Sequence, residues 1–146
     1  VQKILEQFKG DTHAASISVR FESEVRGLWD PIRLEQAIRN LLTNAINYGE
    51  GKPIIVDVKE EEGSAVISVE DHGIGIATED QERIFSRFER ATSYRNYGGL
   101  GLGLYIVKSV ALAHGGTVEV ESTKGEGSKF TLRIPLRCEE AKSVAI

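Results

Sequence analysis

Two stretches of this sequence each hold a pair of strand-like runs closed by a turn, and that pairing restricts the fold more than any other feature. The runs 54–60 and 65–70 flank Glu61-Glu62-Gly63, and the runs 117–121 and 128–134 flank Lys124-Gly125-Glu126-Gly127. Apolar residues on alternate positions around a glycine-bearing turn read as a β-hairpin, whose strands are antiparallel neighbours. A sheet covered on one face by helices therefore fits better than a doubly wound parallel sheet, which needs strict strand–helix alternation. Helical patterns sit between the hairpins. Asp30 is a good N-cap, Pro31 suits a first helical position, and Gly49 suits a left-handed helix end, so a long helix is expected between them. A second helix is expected over 102–114, stopping at Gly115-Gly116. The reading is a sheet covered on one face by helices.

The remaining segments are read more coarsely. Val1, Ile4, Leu5 and Phe8 give residues 1–13 one helical stripe, and 16–21 and 24–29 read as short strands. Residues 78–88 suit a short helix, 89–98 a mobile loop, and the chain beyond Pro135 a frayed tail. The domain organisation expected is a leading helix over 1–13, one domain over 14–138 and a frayed 139–146. A chain of 146 residues with 40% hydrophobic and 27% charged residues fits a single globular domain. Its net charge of −4 argues against a general nucleic-acid surface, since phosphate backbones are met by clustered Lys and Arg. The one cysteine, Cys138, allows no intramolecular disulfide and no metal-ligand set. The apolar runs are far shorter than the ~20 residues needed to cross a bilayer. The expectation is a soluble, cytoplasmic piece without membrane contact. It begins abruptly, as if cut from a longer chain.

Four constellations carry candidate chemistry. Asn40, Asn44 and Asn47 are spaced four and three apart, so they share one helix face at the edge of the stripe formed by Leu34, Ala37, Ile38, Leu41 and Ala45. Amide oxygens there can ligate magnesium, which takes few protein ligands alongside substrate phosphates, although three solvated asparagines would look the same. In VEDHGIGI, Asp71 stands at a strand end before Gly73 and Gly75. A carboxylate so placed can accept a hydrogen bond from an exocyclic amine such as that of adenine, with Ile74 and Ile76 against the ring; an ordinary Asp-x-Gly turn is the alternative. In YGGLGLGL, Gly98, Gly99, Gly101 and Gly103 run straight into a helix. Their N–H groups and the helix N-terminus make an anion cradle, one that lacks a Walker Gly-Lys-Ser/Thr ending and does not follow a strand as a dinucleotide fingerprint does. Between these lies a polar stretch in which Phe85 and Phe88 can anchor a lid bringing Arg90 or Arg95 to phosphate. His13, His72 and His114 sit in no ligand or nucleophile motif and read as core or surface residues.

Together these residues resemble the catalytic ATP-binding domain of sensor histidine kinases, within the wider superfamily of gyrase, mismatch-repair and heat-shock chaperone ATPases. NLLTNAINY looks like the N box, DHGIGI the G1 box, RIFSRFER the F box and GLGLGL the G2 box, in the family's order; GEGSKFTLRIP looks like its closing hairpin. The resemblance implies an α+β, two-layer α/β sandwich of the Bergerat type, with a mixed, mostly antiparallel sheet and helices on one face. It implies ATP and magnesium as cofactors, with Asn44 as metal ligand supported by Asn40, Tyr48 bordering the nucleotide, and Asp71 on the adenine amine. Gly73, Ile74, Gly75 and Ile76 would shape the adenine pocket, and Gly99, Gly101 and Gly103 would meet phosphates. Asn47, Phe88, Arg95, Leu100, Leu102, Leu104 and Thr131 complete the expected ATP-binding set. Asn47 departs from the Lys or Arg many members carry there, leaving Arg95 or Lys52 as substitutes. Asn40 stands where the superfamily's hydrolases place a glutamate base, so transfer to an external nucleophile is expected rather than hydrolysis. The implied partners are a histidine-bearing dimerisation domain, from which 1–13 would lead, and a response-regulator receiver domain. A nucleotide-binding regulatory module without phosphotransfer and an anti-sigma-type protein-serine kinase remain the alternatives.

Overall fold

In a computed structural model, the described residues are 16–22, 24–86, 102–137 and 142–145. Strands β1 (Ile17–Phe21), β3 (Ile54–Glu61), β4 (Ser64–Asp71), β6 (Gly127–Pro135) and β5 (Thr117–Thr123) form one sheet in the order β1-β3-β4-β6-β5. Only β1 and β3 run parallel; β3–β4, β4–β6 and β5–β6 are antiparallel, so both expected hairpins form. Helices α1 (Pro31–Tyr48) and α2 (Gly103–Ala113) pack on each other and on one face of this sheet. The fold is thus the mixed, one-sided α+β sandwich.

Strand alternation supplies that face. Ile54, Val56 and Val58 of β3, Ala65, Ile67 and Val69 of β4, and Phe130, Leu132 and Ile134 of β6 are buried. Leu34, Ala37, Ile38, Leu41, Leu42, Ala45 and Tyr48 cover them from α1, at the three-and-four spacing that keeps side chains on one stripe. The opposite sheet face carries ion pairs such as Arg20–Asp57 and Arg133–Glu61. Asp30 caps α1 as expected, its carboxylate accepting from the N–H groups of Ile32 and Arg33 at 3.1 and 3.2 Å. His114 ties the two helices together: its Nε2 accepts from Asp30 N at 3.1 Å, which makes Nδ1 the donor to Val110 O at 2.8 Å.

Several local expectations are corrected. Gly49 ends α1 with a right-handed φ of −82°, and the left-handed residues are Glu50 and Gly51. What Gly49 supplies is room, since a Cβ there would strike the Ala45 carbonyl. Residues 78–85 form two single 3-10 turns, Thr78–Asp80 and Arg83–Phe85, instead of a helix, with buried Asp80 paired to Arg83 across them. The tail read as frayed returns as β7 (Lys142–Ala145), antiparallel to β2 (Arg26–Trp29). Ahead of it, Leu136 O accepts from Leu28 N at 2.7 Å and Pro135 O from the Trp29 indole at 2.8 Å. No helix among the described residues is long and apolar enough to cross a membrane.

Candidate nucleotide-binding site

The C-terminal half of α1 is one wall of the site, and the loop 72–76 after β4 docks on its end. Ile74 N donates to Tyr48 O at 3.1 Å. The approach is so close that a Cβ on Gly73 would collide with the Tyr48 carbonyl oxygen and lie 2.6 Å from Gly49 Cα. Gly75 follows with φ +65° under the Thr123 carbonyl, a conformation and a clearance that only glycine meets without strain. Ile74 O accepts from Gly125 N at 2.7 Å and Ile76 N donates to Ser122 Oγ at 2.8 Å, so the loop is held between the end of α1 and the β5–β6 hairpin.

Asp71 is the last residue of β4 and is only 3% exposed. Its Oδ1 accepts from Gly73 N at 3.0 Å, which fixes the carboxylate's orientation. Its Oδ2 is buried and has no hydrogen-bond partner among the described residues. Burial pushes the Asp71 carboxyl above its ordinary range, while the N–H groups of Gly73 and Ser128 act the other way. A pinned carboxylate with one unused oxygen is an acceptor held ready for a donor. Across the sheet Asp71 lies opposite Ser128, and an open depression at this end of the sheet is lined by both and also by Glu70, Glu121, Glu126 and Lys129.

The other end of the wall suits phosphate. Asn40 Nδ2 donates to Gly103 O at 3.3 Å, which brings the middle of α1 against the start of α2. Leu102, at the N-cap of α2, makes no side-chain cap hydrogen bond, and the start of any helix carries N–H donors and the positive end of its dipole. Asn44 lies one turn from both Asn40 and Tyr48, and its Nδ2 is the second buried side-chain atom without a partner among the described residues. From residue 40 to residue 48 the helix rises about 12 Å. The loop after β4 and the start of α2 therefore meet the C-terminal half of α1 at its two ends.

Most of the expected residues that are described fall at this site. Asn40, Asn44, Tyr48, Asp71, Gly73, Ile74, Gly75, Ile76, Leu102, Gly103 and Leu104 line α1, the loop or the start of α2; Tyr48, Ile76 and Leu104 are buried. Asn47 is on α1 and exposed, and Lys52 lies 3.7 Å from Glu50. Thr131 is a correction: it pairs with Ser68 and Glu119, three residues from Ser128, so strand alternation puts it on the sheet face away from Asp71. Ser128, paired with Asp71, is the β6 residue on the Asp71 face. The signal for it was the glycine-serine turn at the head of β6, which only the register resolves. Phe88, Arg90, Arg95, Gly98, Gly99, Leu100 and Gly101 lie outside the described residues, as do His13, Cys138 and the expected mobile loop.

Comparison with known proteins identifies the family of the chain and its fold. Residues 29–138 match the family described as histidine kinase-, DNA gyrase B- and HSP90-like ATPase. The sensor-like histidine kinase SenX3 of Mycobacterium tuberculosis is 43% identical over 140 residues, which cover 92% of this chain and 34% of SenX3. The sensor histidine kinase WalK of Bacillus subtilis is 40% identical over 116 residues, 76% of this chain and 19% of WalK. The chain thus spans about a third or less of these relatives. Among solved structures, the mycobacterial sensor histidine kinase MprB superposes with a TM-score of 0.81 at 27% identity, covering 93% of this chain and 91% of that one. Full-length ShkA in complex with AMPPNP superposes with a TM-score of 0.79 at 28% identity, covering 92% of this chain and 28% of that one.

Proposed function

The chain belongs to the histidine kinase-, DNA gyrase B- and HSP90-like ATPase family, and from that membership we propose that it is the part of a sensor histidine kinase that holds Mg-ATP and presents the γ-phosphate to a histidine on a separate dimerisation domain. One observation carries the proposal. The two buried side-chain atoms without partners among the described residues, Asp71 Oδ2 and Asn44 Nδ2, both sit where a nucleotide would satisfy them. Asp71 Oδ2 accepts the adenine amine, the uncapped start of α2 donates to phosphate, and Asn44 with Asn40 supplies the amide groups for magnesium. Asn44 Nδ2 is an N–H donor and suits a phosphate oxygen, while the amide oxygens of Asn44 and Asn40 are the atoms that would hold magnesium shared with phosphates. Magnesium, when bound, neutralises triphosphate charge. The described part of the site holds no carboxylate base beside the asparagines, so its contribution is positioning, and the nucleophile comes from outside. A response regulator then receives the phosphoryl group from that histidine.

Calorimetric titration of ATP and GTP into this chain, with and without magnesium, followed by addition of a cognate histidine-bearing domain and labelled ATP, tests the reading. Magnesium-dependent, adenine-selective binding and label on the added domain are expected. Binding without transfer to any such domain would leave a regulatory nucleotide sensor instead, and label on His13, His72 or His114 of the isolated chain would contradict the assignment of the acceptor.

A further inference from the structure

The Ser122 hydroxyl links the loop after β4 to the β5–β6 hairpin through three hydrogen bonds. Its Oγ lies 2.8 Å from Ile76 N, 2.7 Å from Gly127 O and 2.8 Å from Ser128 Oγ. A hydroxyl has one hydrogen and two lone pairs. Gly127 O can only accept, so it takes the Ser122 hydrogen; Ile76 N–H can only donate, so it takes one lone pair. The remaining lone pair must face the Ser128 hydroxyl, and Ser128 is therefore the donor in that contact.

The consequence reaches Asp71. Ser128 is directly opposite Asp71 on the neighbouring strand, so the two side chains leave the same face of the sheet as a cross-strand pair. A buried hydroxyl that was free would turn its hydrogen to the nearest unsatisfied carboxylate oxygen. Asp71 Oδ2 nevertheless has no partner among the described residues. We infer that Ser122 is a positioning residue for nucleotide selection: by holding the hydroxyl hydrogen of Ser128 and the N–H of Ile76, it keeps Asp71 Oδ2 open as an acceptor for an exocyclic amine. With Ser128 presenting lone pairs, both groups repel a carbonyl at the same place on the purine.

This inference rests on the nucleotide-binding reading above, and its test separates the two. ATP and inosine triphosphate, which has a carbonyl where ATP has the amine, are titrated into the parent chain, Ser122→Ala, Ser128→Ala, the Ser122→Ala/Ser128→Ala double variant and Ser122→Thr. Ser122→Ala releases the Ser128 hydroxyl to close Asp71 Oδ2, so ATP affinity is expected to fall about tenfold, as for one hydrogen bond, and the ATP preference over inosine triphosphate to shrink. Ser122→Thr keeps the hydroxyl and stays near the parent. The double variant recovers part of the lost ATP affinity, because no hydroxyl remains to close the acceptor, an outcome that simple loosening of the hairpin does not produce. If Ser122→Ala does not fold, Ser122→Cys, a weaker hydrogen-bonding group of similar size, replaces it in both variants. Unchanged ATP affinity in folded Ser122→Ala, or a double variant no better than the single one, overturns the inference and leaves the ATP-binding reading standing. A parent chain that does not bind ATP overturns both.

Discussion

Replacing Asp71 with asparagine separates what the site does for ligand from what it does for the fold. Gly73 N–H donates to Oδ1 at 3.0 Å, so the asparagine oxygen must stay there and its NH2 must take the place of Oδ2. A donor then faces the adenine amine, itself a donor. The lost charge-assisted hydrogen bond is worth about 1.5–3 kcal/mol, and the buried donor left without a partner costs about 1–3 kcal/mol more. Together they weaken ATP by about two to four orders of magnitude. The same change removes a buried carboxylate whose ionisation burial disfavours, so the ligand-free variant should be as stable as the parent or more so near neutral pH. Calorimetric titration with Mg-ATP and a thermal melt of the empty protein measure both effects. An Asp71→Asn variant that folds and binds ATP within about threefold of the parent, well under the one bond predicted here, would refute the assignment of Asp71 to the amine.

Because the folded-state pKa of Asp71 is raised, the stability difference between Asp71→Asn and the parent should be absent below the ordinary carboxylate range and grow as pH rises through the raised value; melts across acid pH follow it. ATP affinity of the parent should fall as pH drops through that same raised value, since a protonated Asp71 presents a donor. Gly73→Ala drives a Cβ into the backbone of Tyr48 and Gly49, neither of which can rotate away, and should cost about 1–3 kcal/mol by overpacking together with ATP binding. Asp30→Ala removes the cap bonds to Ile32 and Arg33, at the far end of α1 from the site. It should cost about 1 kcal/mol, a melting shift of about 2–4 °C, with ATP affinity unchanged.

Elements were legible in the sequence wherever a local signal fixes local structure. Asp30-Pro31 starts α1 because the cap and the fixed proline φ act within one turn, and the hairpins close where glycine-bearing turns lie between alternating runs. The failures are of another kind. Thr131 and Ser128 are three residues apart on one strand, and which of them faces Asp71 depends on a register set by β4, not by β6 itself. Gly49 was legible as necessary but for the wrong reason, since its constraint is the neighbouring Ala45 carbonyl and not its own φ. The returning β7 was illegible because pairing with β2, more than 110 residues earlier, leaves no mark on the tail's own pattern.

The placement of the two orphaned atoms argues that the site is built against the grain of stability. Asp71 shares its buried sheet face with the apolar Val69 and Phe130. There β4 ends in a carboxylate whose burial raises its pKa, Gly73 N–H holds one oxygen, and Ser122 with Ser128 withholds the hydroxyl that could satisfy the other. The buried Oδ2 left without a partner costs the empty protein free energy that a bound amine would return, whereas the Gly73 bond offsets part of the burial. Tight ligand selection and a marginally strained empty state are then two readings of one arrangement: substitutions that satisfy Asp71 internally should stabilise the domain and weaken its hold on ATP together.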